Sequence, residues 1–199
     1  MVGFLSSLVL AVVAAIVMDL RPAVRRAVYP LLVGSQAVPA LVVAPVLVLW
    51  LGFGLAPKVV VVVLLTFFPI VVGLLDGFAA VPPEAADLLR TYGASDRQAL
   101  RLLRWPAALP SFFTGLRIAI TYAIVGTVYA EYVGSFDGLG IWIATSQKSF
   151  RADLVFGAVG IVIVLSVGLF VAIGVLERLV IPWAGAERRS RDEAPVGLR

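Results

Sequence analysis

The chain has 199 residues, of which 61% are hydrophobic and 14% charged, against roughly 45–50% and about 25% in an average soluble domain. Cysteine and histidine are both absent, which excludes disulfides, Cys/His zinc sites, histidine-ligated haem and every Ser-His-Asp or Cys-His nucleophile. The net charge of +4 comes from 16 basic and 12 acidic residues, and only Lys58 and Lys148 among the basic ones are not arginine.

So apolar a composition points to the bilayer, where a crossing helix takes about 20 mostly apolar residues. Reading between charges predicts five spans. The first covers 1–18 and ends at Asp19; it lacks the basic start of a cleaved signal peptide. The second, 30–56, is free of charge but carries Pro39 and Pro45. The third is 59–75, between Lys58 and Asp76, and the fourth is 107–130, with Arg117 inside it. The fifth is 154–176, between Asp153 and Glu177. In lipid only helices satisfy the backbone of such single segments, and the alternating segments of about ten residues that build a barrel are missing. The predicted fold is therefore all-α, a polytopic transmembrane helical bundle over 1–183. Residues 184–199 mix Glu, Arg, Ser, Asp, Pro and Gly and read as a disordered tail.

Basic residues in the loops set orientation. Arg21, Arg25, Arg26, Arg90, Arg97, Arg101, Arg104, Arg178, Arg188, Arg189, Arg191 and Arg199 fall on one side, and Lys58, Lys148 and Arg151 on the other. The arginine-rich side is expected to be cytoplasmic, with the C-terminus inside and Met1 outside. Trp50, Trp105, Trp142 and Trp183 all lie near predicted span ends, where aromatic belts form. Topology explains the positive charge without a nucleic-acid partner.

The loop 76–106 reads as folded. Pro82 and Pro83 precede Glu84-Ala-Ala-Asp-Leu-Leu-Arg-Thr-Tyr92, a helix with proline at its start and acids in its first turn, and Gly93 supplies its stop. Ser95-Asp-Arg-Gln98 reads as a capping box opening a second short helix, which Trp105-Pro106 is expected to end. A helix–Gly–helix elbow projecting from a membrane domain is a docking knob.

These residues resemble the permease subunits of bacterial ABC importers, the binding-protein-dependent transport group. That signature reads Glu-Ala-Ala, three residues, Gly, nine residues, Ile, one residue, Leu-Pro. Here Gly93, nine residues, Leu103, Arg104 and Trp105-Pro106 reproduce its second half, with Pro110 as the frequent second proline. The first half departs from it. Glu84 lies nine positions before Gly93 where the signature has six, so the family's acid falls on Asp87. Val38-Pro-Ala-Leu, Phe67-Phe-Pro-Ile70, Ala130-Glu-Tyr-Val-Gly134 and Gly138-Leu-Gly140 look closest to the branch that handles nitrate, sulfonates, taurine, thiamine pyrimidines and riboflavin. Members usually have six spans, and span one looks like their second, so a further helix before Met1 or a five-helix variant would both fit.

The resemblance implies that Asp87, Arg90, Gly93, Ala94, Ser95, Arg97, Arg101, Leu103 and Pro106 seat the elbow on a separate ATPase, with Arg90, Arg97 and Arg101 facing its acidic groups. It also implies an extracytoplasmic substrate-binding protein, a permease homodimer, a place in the bacterial inner membrane and alternating access for a small solute. No P-loop is visible, since Lys148-Ser149 follows Gln147 rather than glycine. The chain is thus expected to bind no ATP or other cofactor and no metal, and to perform no covalent chemistry. Gln36, Pro39, Arg117 and Glu131 are the pathway candidates, because broken helices and intramembrane charges line paths. Kinking, snorkelling or interfacial polarity would equally place them. Gly126, Gly157, Gly160, Gly168 and Gly174 are expected to mark close helix packing. A membrane scaffold docking a non-ATPase partner, and a passive channel, are the competing functions.

Overall fold

A computed structural model describes residues 1–183; the tail 184–199 lies outside the described residues. Helix α1 (Val2–Leu20) is followed by α2 (Pro22–Ser35), α3 (Ala40–Leu51) and α4 (Leu55–Ala79). Then come α5 (Pro83–Thr91), α6 (Asp96–Ala99), a π-helical turn (Leu100–Arg104), α7 (Trp105–Gly134), α8 (Leu139–Lys148) and α9 (Ala152–Val180). No strand occurs among the described residues. Four helical stretches are long and apolar enough to cross a membrane: α1, α4, the rod Asp96–Gly134 and α9.

The segment expected as a second span, 30–56, is divided. Helix α2 starts earlier, with Pro22 in its first turn, where a missing N–H costs nothing. It ends at Ser35, and α3 restarts after Pro39, which is extended at φ −64°, ψ 123°. The proline ring also drives the residue before it out of the helical region, so the break sits at 36–39. Its polar backbone is satisfied locally, by Gln36 N–H to Val33 O, Ala37 N–H to Gly34 O and Val38 N–H to Ser35 O.

A second difference lies at Trp105-Pro106, where the elbow's second helix was expected to stop. It runs on into α7 through the π-turn, in which the Trp105 N–H reaches the carbonyl of Leu100. Proline removes one N–H and crowds the carbonyl four residues back. The wider π register carries the helix through that defect.

Helices α1, α4 and α7 form the core. Gly3, Ser7, Ala11, Ala15 and Met18 make one buried stripe along α1, and it packs on α4, with an added Cβ at Gly3 lying 3.1 Å from Val62 Cβ. Helix α4 meets α7 through small residues. A Cβ at Gly73 would lie 2.8 Å from the Ser111 carbonyl oxygen, and one at Gly77 2.6 Å from Ala108 Cα. Such contacts let backbones approach closely without a water-driven hydrophobic force. Among the glycines expected at packing positions, Gly126 touches Leu65 and Gly174 touches Arg117, while Gly157, Gly160 and Gly168 meet nothing within 4 Å. Spacing along α9 could not say which glycines face inward; only Ala158 and Glu177 of that helix are buried.

Candidate functional site

The elbow is shaped by two local devices. At the end of α5, the Gly93 N–H reaches the carbonyl of Arg90 and the Ala94 N–H that of Leu89, at 2.8 and 3.0 Å. That pair of bonds is a Schellman motif, which needs a left-handed residue, and Gly93 supplies it at φ +81°. Two residues on, the capping box is complete: Gln98 N–H to Ser95 Oγ, and Ser95 N–H to Gln98 Oε1. The chain therefore turns sharply and restarts at once.

Charge fixes the angle between the two short helices. Arg90 donates from Nη1 to Asp87 and from Nη2 to Asp96, each at 3.2 Å. These bonds, that to Asp96 foremost, hold the Arg90 guanidinium above its ordinary pKa, so it stays charged. Arg90 thus joins α5 to Asp96 at the start of α6, with half of its side chain still exposed. Arg97 and Arg101 are exposed, Leu103 and Pro106 half-buried. The elbow's apolar tip is bare: Leu88, Leu102 and above all Tyr92, 82% exposed, face outward.

Sequence reasoning missed how the elbow is tied down. Arg104 reaches Asp19 at the end of α1, with Nη1 3.0 Å from Oδ1 and 2.9 Å from Oδ2. No signal in the chain joins residues 85 positions apart, although Asp19 is the acid that closes the first span. Beside the pair, Phe78 and Trp105 rings lie 6.3 Å apart.

Of the pathway candidates, Gln36 and Pro39 line cavities at the break in the second span. One, of about 440 Å³, is lined by Gln36, Phe68, Asp76, Ser111, Thr114 and Tyr122. The other, of about 360 Å³, lies against Pro39 and Leu65. Both reach the middle of α4, where unwound backbone is tolerated only against protein or a cavity. Arg117 is drawn elsewhere. It pairs with Glu177 of α9, and its Cζ lies 5.5 Å from the Phe170 ring centre. Glu131 accepts from the Gly140 N–H at 3.1 Å and so holds the start of α8.

A broken apolar segment, a folded elbow and a small-residue helical bundle thus occur together in one chain. Residues 7–182 match the family described as binding-protein-dependent transport system inner membrane component. The chain belongs to that family. It is 41% identical over 182 residues to the formylaminopyrimidine transport permease protein ThiX of Halalkalibacterium halodurans, covering 92% of this chain and 73% of ThiX. The riboflavin transport system permease protein RibX of Chloroflexus aurantiacus is 37% identical, over 79% of this chain and 59% of its own length. The taurine transport system permease protein TauC of Escherichia coli is 28% identical, over 93% and 67%. This permease is a multi-pass inner-membrane subunit of an ABC transport system for small solutes and is not itself an enzyme.

Proposed function

We propose that the chain forms the solute pathway of an ATP-driven importer and that its elbow, 82–106, docks in a separate ATPase subunit. The observation that carries this reading is the elbow itself. Its turn is set by a Schellman motif, a capping box and two exposed ion pairs, yet Leu88, Tyr92 and Leu102 on it have no cover among the described residues. A rigid, apolar-tipped projection is suited to a cleft in a partner. Arg97 and Arg101, exposed on the same elbow, face acidic groups there.

The elbow end carries the arginines and is cytoplasmic, by the rule that basic loops stay inside. A substrate-binding protein delivers the solute at the opposite end. Two copies of the chain face each other across the pathway, which covers Gln36, Thr114 and Tyr122, polar groups exposed on the bundle surface that lipid would leave costly.

The cavity at the helix break supports one reading of the solute class. It holds Asp76 and no base, with Phe68 and Tyr122 rings and the Gln36 amide. Arg117, the cation inside span four, is already neutralised by Glu177. This favours an uncharged, ring-bearing solute of the pyrimidine or riboflavin type over a sulfonate or nitrate-like anion, in line with the higher identity to ThiX and RibX than to TauC.

Purification of the tagged permease from its native membrane tests the coupling reading: an ATPase accompanies it. Gly93→Asp puts a negative charge on the docking elbow, against the acidic groups that Arg97 and Arg101 meet, and so abolishes ATP-driven uptake while leaving membrane insertion intact. Retained uptake in that variant refutes the docking assignment. Capture of a non-ATPase partner alone would make the chain a scaffold, and solute flux without ATP would make it a channel.

A further inference from the structure

We infer that α1 is a rod carrying displacement of the elbow to the far end of the bundle, and that the Asp19–Arg104 pair is the joint that drives it. This rests on the coupling reading above. Asp19 is the penultimate residue of α1 and Arg104 the last of the π-turn. Their side chains are only 7% and 27% exposed, and Arg104 Nη1 contacts both carboxylate oxygens. A charge-assisted contact in so sheltered a place is a strong directional tie. Among the described residues, the elbow's other ion pairs are internal to it, Arg90 with Asp87 and Asp96. This one leaves the elbow.

The surroundings leave room for movement. A cavity of about 600 Å³ separates α5 and α6 from the corner between α1 and α2, with Asp19, Arg25, Phe78, Arg90, Asp96 and Arg104 in its wall. The elbow therefore stands off that corner and is pinned to it at one polar point. The π-turn, where the helical register is already displaced, lies directly at the pin, and such turns are places where helices bend.

Helix α1 is built to pass the motion on. Its stripe of Gly3, Ser7, Ala11, Ala15 and Met18 lies flat on α4, a surface that allows the small shear of one packed helix along another. Its 19 residues span about 28 Å at 1.5 Å each. At the other end, residues 1–4 line a cavity of about 620 Å³ with Leu55, Lys58, Glu131 and Gly138. One helix thus has the elbow's pin at one end and the wall of the distal cavity at the other.

The natural absence of cysteine makes the joint testable in the complete complex, reconstituted with its ATPase and binding protein. The double variant Asp19→Cys/Arg104→Cys removes the ion pair, and a bifunctional thiol reagent restores a tie. ATP hydrolysis and ATP-driven uptake are read in parallel. The unlinked protein keeps its ATPase and hydrolyses ATP, but uptake per ATP falls about 10-fold, within the roughly 5–150-fold range of typical coupling. Cross-linking brings uptake back. Undiminished uptake in the unlinked protein overturns the inference, as does failure of the cross-link to restore it. If the double cysteine protein does not fold, the charge swap Asp19→Arg/Arg104→Asp decides. Recovery of folding and uptake relative to either single change supports the joint; recovery of folding without uptake, or of neither, overturns it. An ATPase missing from the unmutated complex would refute the coupling reading instead.

Discussion

Arg117 of α7 and Glu177 of α9 are joined in an ion pair between two spanning helices, 60 positions apart in the chain. The Phe170 ring covers the guanidinium on one side. Gly174 makes room on another, since a Cβ there would lie 3.2 Å from Arg117 Nη2. Removing Glu177 takes from the half-buried Arg117 guanidinium the carboxylate it is paired with. Glu177→Ala is expected to cost about 3 kcal/mol, the low end for a buried pair because Arg117 keeps 28% exposure. Replacing both, as Arg117→Leu/Glu177→Leu, comes back close to the parent stability. Thermal melting of the detergent-solubilised protein checks both, and equal losses in the single and double variants would refute the pairing.

The contact between α4 and α7 predicts opposite effects for glycines that look alike in sequence. A Cβ at Gly115 would run into the carbonyl oxygen of Pro69, and one at Gly77 into the Ala108 backbone. Backbone atoms cannot turn aside as a side chain can. Gly115→Ala and Gly77→Ala are expected to exceed the usual overpacking cost of about 1–3 kcal/mol. Gly157→Ala and Gly160→Ala, with open space around them, are neutral or stabilise by up to about 1 kcal/mol through helix propensity. Melting temperatures of the four variants separate the two groups.

Those glycines show where sequence reasoning stops. Hydropathy and charge found the apolar stretches and the elbow, because spans are set by length and composition and the elbow by spacings of three to six residues. Ser95 and Gln98 were readable as a capping box without any tertiary information. Facing is another matter. The two residues on either side of Gly157 and of Gly73 are apolar, so the local pattern does not single out the inward side, and packing distinguishes them. The partners of Arg117 and Arg104 were hidden for the same reason, since each lies on a distant helix. Pro39 did mark the break in the second span, but Pro106 did not mark a helix end, because a π-turn absorbed it.

Within the chain, the demand on Gly93 is conformational. It stands at φ +81° with nothing within 4 Å of a Cβ, so a substitution there clashes with no neighbour. Gly93→Asn is expected to be tolerated, as asparagine enters the left-handed region at small cost. Gly93→Val should cost about 1–2 kcal/mol of local order. Ser95→Ala removes the capping oxygen and costs about 1 kcal/mol. Amide hydrogen exchange over 83–104 reads these losses directly: faster exchange with Val and Ala, little change with Asn. Uniform exchange across the three would mean that partner contacts, not these caps, hold the elbow.

At the opposite end of α7, Glu131 acts within the chain. Its carboxylate takes the Gly140 N–H at the first turn of α8, where the helix dipole favours an anion. It also fills the space that a Cβ on Gly138 would claim, and Gly138 sits at φ +122°, closed to most side chains. Gly140 in turn lies so close to the Val128 carbonyl and the Tyr132 N–H that no Cβ fits. The acid and two glycines thus clamp α8 to α7. Glu131→Gln keeps an acceptor and should cost about 0.5 kcal/mol by weakening the charge–dipole term. Glu131→Ala leaves the N–H without its carboxylate and should cost about 1–2 kcal/mol, loosening 139–148 in hydrogen exchange. If Glu131 instead served mainly to meet an external protein, Gln and Ala would impair uptake alike while α8 kept its protection.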